Sequence, residues 1–222
     1  AGAQGVIGLM NTGTFTIGAY TLNANTGDNA GSGTAGLTLG TTTLTGNAML
    51  NIVNGTSAST QILLGAVGDG GSGYGITKQG SGKLTLNSAG TYSGVTKVQS
   101  GTLELKDTAA IQNSTLDISG GGSVSFAVIG TNTYTVGGVK GAGSLSAGSN
   151  SLTVKSLAPG NNTTGTISLT AATISVANNA NYAFEIGGTT ASPTADRIDV
   201  TGALTLGSGN SYTLDVTNLA PL

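Results

Sequence analysis

The stretch GSGKLTLNSAGTYSGVTKVQSGTLELKD, residues 80–107, decides the fold. Leu84 and Leu86 alternate with Lys83 and Thr85, and Leu103 and Leu105 repeat the pattern 19 residues later. Successive side chains of a strand point to opposite faces, so each leucine pair faces inward and Lys83 and Thr85 outward. Between the two pairs, Thr96 and Val98 form a further inner pair with Lys97 outward. If consecutive coils align, Leu84 stacks on Leu103, Leu86 on Leu105, and Thr85 lies against Glu104 outside. Gly82 and Gly101 allow tight corners. Tyr92, in a turn, covers the end of the apolar stack.

The same alternation runs along the rest of the chain, as in FTIGAYTL (15–22), AMLNIV (48–53), SLTVKSL (151–157) and SYTLDV (211–216). Gly, Asn, Asp and Ser clusters, the usual turn formers, separate these runs. No window carries the i, i+3, i+4 apolar face of a helix, so the chain reads as all-β. The pattern Gly-x-(Leu or Ile)-x-apolar starts at Gly5, Gly82, Gly101, Gly143, Gly165 and Gly202. Its gaps of 77, 19, 42, 22 and 37 residues divide into units of 18.5 to 22. One such unit suits one coil of a right-handed parallel β-helix, each coil stacking on the last at ~4.8 Å. The expectation is a single β-solenoid domain over residues 1–222, of about ten coils and on the order of 50 Å long. A β-sandwich or jelly roll is the rival, disfavoured by only nine Phe and Tyr for its core.

Composition removes most chemistry. Gly (39), Thr (36), Ser (22) and Asn (18) make up 115 of 222 residues, against 16 charged ones. Without Cys there are no disulfides or thiolate nucleophiles, and without His no Ser-His-Asp triad or imidazole ligand. Seven Lys and Arg form no basic patch, so nucleic acid is not an expected partner. No apolar run nears the ~18 residues that span a bilayer. Residue 1 is Ala, which suits removal of a leader or excision from a longer chain.

Residues 80–106 resemble the autotransporter-associated β-strand repeat, which reads approximately G-x-G-x-L-x-L-x-G-x-N-x-Y-x-G-x-T-x-V-x-x-G-x-L-x-L. Gly82, Leu84, Leu86, Tyr92, Gly94, Thr96, Val98, Gly101, Leu103 and Leu105 match, while Ser88 and Gly90 depart from it. SLAPGNN (156–162), YAFEIGG (182–188) and ADRIDVTGALTL (195–206) are similar to the segment that follows such repeats. The resemblance covers roughly 80–206; residues 1–79 share only composition. It implies a right-handed β-helix, exported and displayed at a bacterial surface as a stalk or adhesin, with no cofactor. The autotransporter's membrane barrel has no counterpart here.

Asp196 and Asp199, flanking the single arginine Arg197, are the closest acid pair. At i and i+3 on a strand they point to opposite faces and do not flank one bond, so neither is assigned as catalytic. TGDNAG (26–31) and VGDGGSGYG (67–75) each offer one Asp, too few for calcium, and read as turns. Tyr20, Tyr74, Tyr92, Tyr134, Tyr182 and Tyr212 suit core-edge packing with hydroxyls in water better than a sugar-stacking row. The sequons at Asn54, Asn113 and Asn162 arise readily in an Asn/Thr-rich chain. No catalytic, cofactor or metal residue is expected. The expected function is a non-enzymatic structural or adhesive extracellular solenoid. Its partners would be further copies, surface glycans or cell-surface receptors. Neither chain end carries a capping helix or charged edge strand, which leaves open a filament subunit joined by end-to-end stacking or strand donation. A polysaccharide lyase or hydrolase is the remote alternative.

Overall fold

A computed structural model describes residues 10–26, 32–160, 164–189, 192–209 and 211–215. No helix occurs among them. The chain groups into two compact units: residues 1–114 with 120–128, and residues 115–119 with 129–222.

Unit one is a parallel β-solenoid. Its first sheet stacks Met10–Thr12, Gly33–Leu39, Ala58–Leu64, Lys83–Leu86, Thr102–Leu105 and Ser123–Phe126, in that order. A second sheet holds Phe15–Ile17, Thr42–Leu44 and Val67–Gly68. The third runs through Thr21–Asn25, Ala48–Val53, Ile76–Gln79, Val95–Val98 and the strand beginning at Ile111. The chain visits the first and third sheets once per coil and the second sheet in the earliest three, so strands pair with the strand one coil away.

Register follows the alternation read from residues 80–107. Leu84 pairs with Leu103 and Leu86 with Leu105, and the columns extend to Ile62 and Leu64 before them, Val124 and Phe126 after. Leu84, Leu103 and Ile62 are 0% exposed. Thr85 opposes Glu104 on the outer face as expected. It is nonetheless buried, for Glu104 accepts its hydroxyl at 3.0 Å and Leu63 flanks it in register.

Coil length departs from the sequence estimate at the N-terminus. Steps from Ile62 onward are 22, 19 and 21 residues (Ile62↔Leu84, Leu84↔Leu103, Leu103↔Val124). Before that they are 27 and 25 (Met10↔Leu37, Leu37↔Ile62). The two longer coils carry three-residue second-sheet strands, Phe15–Ile17 and Thr42–Leu44; the 22-residue coil keeps only Val67–Gly68, and the next has the turn carrying Tyr92 in its place. Three steps, rather than the four implied by the 77-residue gap, therefore separate the first described coil from Leu84.

Unit two continues the scheme with longer strands. Thr133–Gly141 pairs with Ser151–Pro159, that strand with Thr166–Thr189, and that in turn with Arg197–Leu206, all parallel. Its columns are Tyr134–Leu152–Ile174–Leu204 and Val136–Val154–Val176–Leu206. One antiparallel pairing, Ile186–Thr189 with Ser192–Ala195, breaks the pattern.

The corner at Gly101 leaves no room for a side chain. Gly101 has φ +70°, and an added Cβ would press on Gly80 O, Gly82 O and, at 2.8 Å, Lys78 Nζ. Gly82 lacks a positive φ; it is required because a Cβ would meet Ile52 Cγ2 and Thr60 O at 2.6 Å. By contrast Gly70, at φ +61°, has nothing within 4 Å. Gly101→Ala is thus expected to cost well over ~1 kcal/mol and Gly70→Ala about 1 kcal/mol, the price of φ alone. Leu103→Ala should cost about 3 kcal/mol through the cavity it leaves. Urea denaturation of the three variants checks this order.

Candidate functional site

Four polar clusters in unit one stand out against the apolar columns. The first is the turn at 67–75. Asp69 is 3% exposed, and its carboxylate accepts hydrogen bonds from Gly71 N (3.0 Å), Gly73 N (2.8 Å), Tyr74 N (3.1 Å), Ser93 N (3.1 Å) and Ser93 Oγ (3.0 Å). Burial alone would raise its pKa; the donors of Ser93, Gly71 and Gly73 outweigh that and hold it below the usual range. Asp69 therefore organises the turn, as the sequence suggested. The other loop weighed for calcium, 26–31, lies outside the described residues beyond Thr26.

The second cluster escaped the sequence reading. Lys78 is 0% exposed and sits in the third-sheet core column between Leu50 and Val98. Its ammonium donates to the carbonyls of Gln79 (2.7 Å), Gly80 (2.7 Å) and Ser100 (3.2 Å), tying one corner to the next coil. Burial pulls its pKa from 10.5 down to about 8. The i, i+2 spacing from buried Ile76 was the available signal.

Tyr92 forms the third. It is 1% exposed, and its hydroxyl lies 2.6 Å from Thr96 Oγ1, correcting the expectation of a hydroxyl in water. Thr96 Oγ1 lies 2.7 Å from Ser114 Oγ, which donates to Gly94 O at 2.6 Å. Because a carbonyl only accepts, the chain has one direction: Tyr92 donates to Thr96 and Thr96 to Ser114. Burial raises the Tyr92 hydroxyl to about 12, against the lowering effect of Thr96 and Ser114. The Tyr-x-Gly-x-Thr spacing of the repeat is thus a buried hydrogen-bonded chain linking adjacent coils.

The fourth lies on the outer face of the first sheet. Glu104 accepts from Lys83 at 3.0 Å and lies 3.9 Å from Lys106. Burial would raise its pKa, but Lys83, Thr85 and Lys106 lower it. Beside this cluster is a groove of about 280 Å³ lined by Thr34, Asn54, Ser59, Thr60, Gln61, Ser81 and Lys83, of which Thr60 is buried and Asn54 and Ser81 are exposed. Asn54 is held from three sides: its N–H donates to Ser81 Oγ (3.1 Å), its Nδ2 to Ser81 O (3.2 Å), and its Oδ1 accepts from Thr60 N (2.7 Å). That engagement occupies the side-chain amide of the first sequon. Asn113 is exposed, and Asn162 lies outside the described residues.

In unit two, Asp196 and Asp199 have separate structural partners. Asp196 Oδ1 accepts from Gly165 N at 2.7 Å, and Asp199 Oδ1 pairs with Arg197 Nε at 2.6 Å. Leu204 and Leu206 are 50% and 53% exposed beside an apolar cavity of about 180 Å³. Tyr134 and Tyr182 are buried, Tyr74 is half-buried and Tyr20 exposed, so the described tyrosines form no exposed row. The side chain of Tyr212 lies outside the described residues.

With this geometry in place, comparison with known families is decisive for the central coils. Residues 76–105 match the passenger-associated-transport-repeat. The matched segment contains Lys78, the Tyr92–Thr96 pair and the leucine columns, so the repeat and the hydrogen-bonded coil coincide. No curated protein and no solved structure matches the chain. Among the described residues there is no helix able to cross a membrane and no group of three or more His, Cys, Asp or Glu arranged for a metal.

Lys78 and Tyr92 give opposite pH signatures. Between pH 8 and 10.5 the unfolded chain holds more protons at Lys78 than the folded one, so stability rises with pH. Between pH 10 and 12 the folded chain holds more protons at Tyr92, so stability falls. Urea midpoints should peak near pH 10. Lys78→Met should abolish the rise and Tyr92→Phe the fall.

Proposed function

We propose that this chain is a structural and adhesive β-solenoid segment of an autotransporter-like surface protein, displayed outside the cell and acting without catalysis. One observation carries the reading: residues 76–105 match a passenger-associated-transport-repeat and form stacked coils whose inward residues serve register. The outer faces support it. Asn51 Nδ2 donates to Asn23 Oδ1 at 2.9 Å, Gln79 to Gln99, and Thr102 lies 3.2 Å from Ser123 Oγ, so polar side chains pair between coils. Such ladders favour a stiff, unreactive surface.

A second reading, a subunit of an extracellular filament, is favoured by the half-exposed Leu204 and Leu206 on a strand whose described pairing is to Thr166–Thr189. Light scattering and negative-stain microscopy of concentrated protein test it, ordered fibres supporting it and monomers alone contradicting it.

For the main reading, the gene expressed with its native flanking sequence should yield a product that protease removes from intact cells. Protection until lysis would contradict surface display. Deleting residues 76–105 should reduce the amount displayed.

A further inference from the structure

The groove on the first sheet of unit one is lined entirely by polar residues and glycine. Part of its lining is held in place: Asn54 makes three hydrogen bonds, and Thr60 Oγ1 donates to Val53 O at 2.7 Å. The rest of the lining is the reverse: among the described residues, the side chains of Thr34, Ser59 and Gln61 make no hydrogen bond within the protein. Bonded Asn54 and Thr60 beside unfilled hydroxyl and amide groups place several hydrogen-bonding groups in one small area.

The lining selects the ligand's chemistry. It contains no aromatic or large aliphatic side chain, which disfavours apolar ligands. One ammonium is too few for a nucleic-acid backbone. Lys83 and Lys106 share the single carboxylate of Glu104, leaving one positive charge in excess beside the groove. The Lys83 ammonium has three N–H donors and spends one on Glu104. Gln61, Lys83 and Thr102 stand in register on successive coils, so their side chains recur at ~4.8 Å across the strands. That row suits a chain of linked sugar rings, and a volume of about 280 Å³ holds a short one.

We propose that this groove binds an acidic saccharide, with Lys83 taking a carboxylate and Gln61, Ser59 and Thr34 taking ring hydroxyls. The proposal deepens the adhesive reading and rests on it. Because bonds to sugar replace bonds to water, one site binds weakly, with a dissociation constant on the order of 1 mM. Several copies displayed together would raise the effective affinity.

The test is a ¹H–¹⁵N NMR titration of the whole chain with galacturonate oligomers, and with neutral cello-oligosaccharides alongside. The acidic oligomers should shift amides at 59–61, 81–83 and 102 and bind about tenfold more tightly than the neutral ones. Lys83→Met should abolish that preference, and Gln61→Ala should weaken both several-fold, with both spectra otherwise intact. No shifts at ten times the expected constant, shifts centred elsewhere, or an unchanged preference in Lys83→Met would overturn the proposal. Adhesion to a galacturonan-coated surface separates the two readings. Wild-type adhesion that Lys83→Met leaves unchanged overturns the groove and leaves the adhesive reading standing. Groove binding without adhesion to any tested surface leaves the groove and overturns the adhesive reading.

Discussion

Everything in unit one depends on like side chains stacking in parallel register from coil to coil. Ile62, Leu84, Leu103 and Val124 form one column and Leu64, Leu86, Leu105 and Phe126 the next. A slip of one residue would turn every one of these toward water and bring the outer residues inward. The columns therefore specify register as well as supplying burial. Around them the polar groups take positions that only this register permits: Glu104 beneath Thr85, the Lys78 ammonium at the corner carbonyls, and Tyr92 against Thr96.

The leucine columns were legible because their spacing is local and repeated. Nineteen residues separate Leu84 from Leu103, and alternation assigns the faces of Lys83, Thr85 and Glu104 directly. The wider N-terminal coils were not legible. Their second-sheet strands, Phe15–Ile17 and Thr42–Leu44, are three residues long, too short for a periodic signal. Lys78 was missed for a different reason. Its acceptors, Gln79, Gly80 and Ser100, converge only once a coil has closed, and a lysine in a strand ordinarily reads as solvent-facing. The groove draws Thr34, Gln61, Lys83 and Thr102 from four successive strands, so no contiguous motif announces it.

The same physics gives the molecule both its stability and its functional economy. Polar side chains that form ladders between coils, such as Asn51 with Asn23, are engaged with one another. Function in such a fold belongs where the ladder is interrupted. On the first sheet, Thr34, Ser59 and Gln61 stand beside the bonded Asn54 without hydrogen bonds of their own among the described residues. On unit two, the columns reach Leu204 and Leu206 with apolar surface still uncovered.

Engineered cysteines test the central claim most directly, since the chain has none of its own. Lys83 and Thr102 are partners on adjacent strands, whereas Lys83 and Ser123 are two strands apart. Strand spacing of ~4.8 Å lies within disulfide range and twice that lies outside it. Under mild oxidation, Lys83→Cys with Thr102→Cys should form an intramolecular disulfide, seen by mass spectrometry, and Lys83→Cys with Ser123→Cys should remain reduced. A disulfide in the second pair and none in the first would contradict the parallel register on which the fold is built.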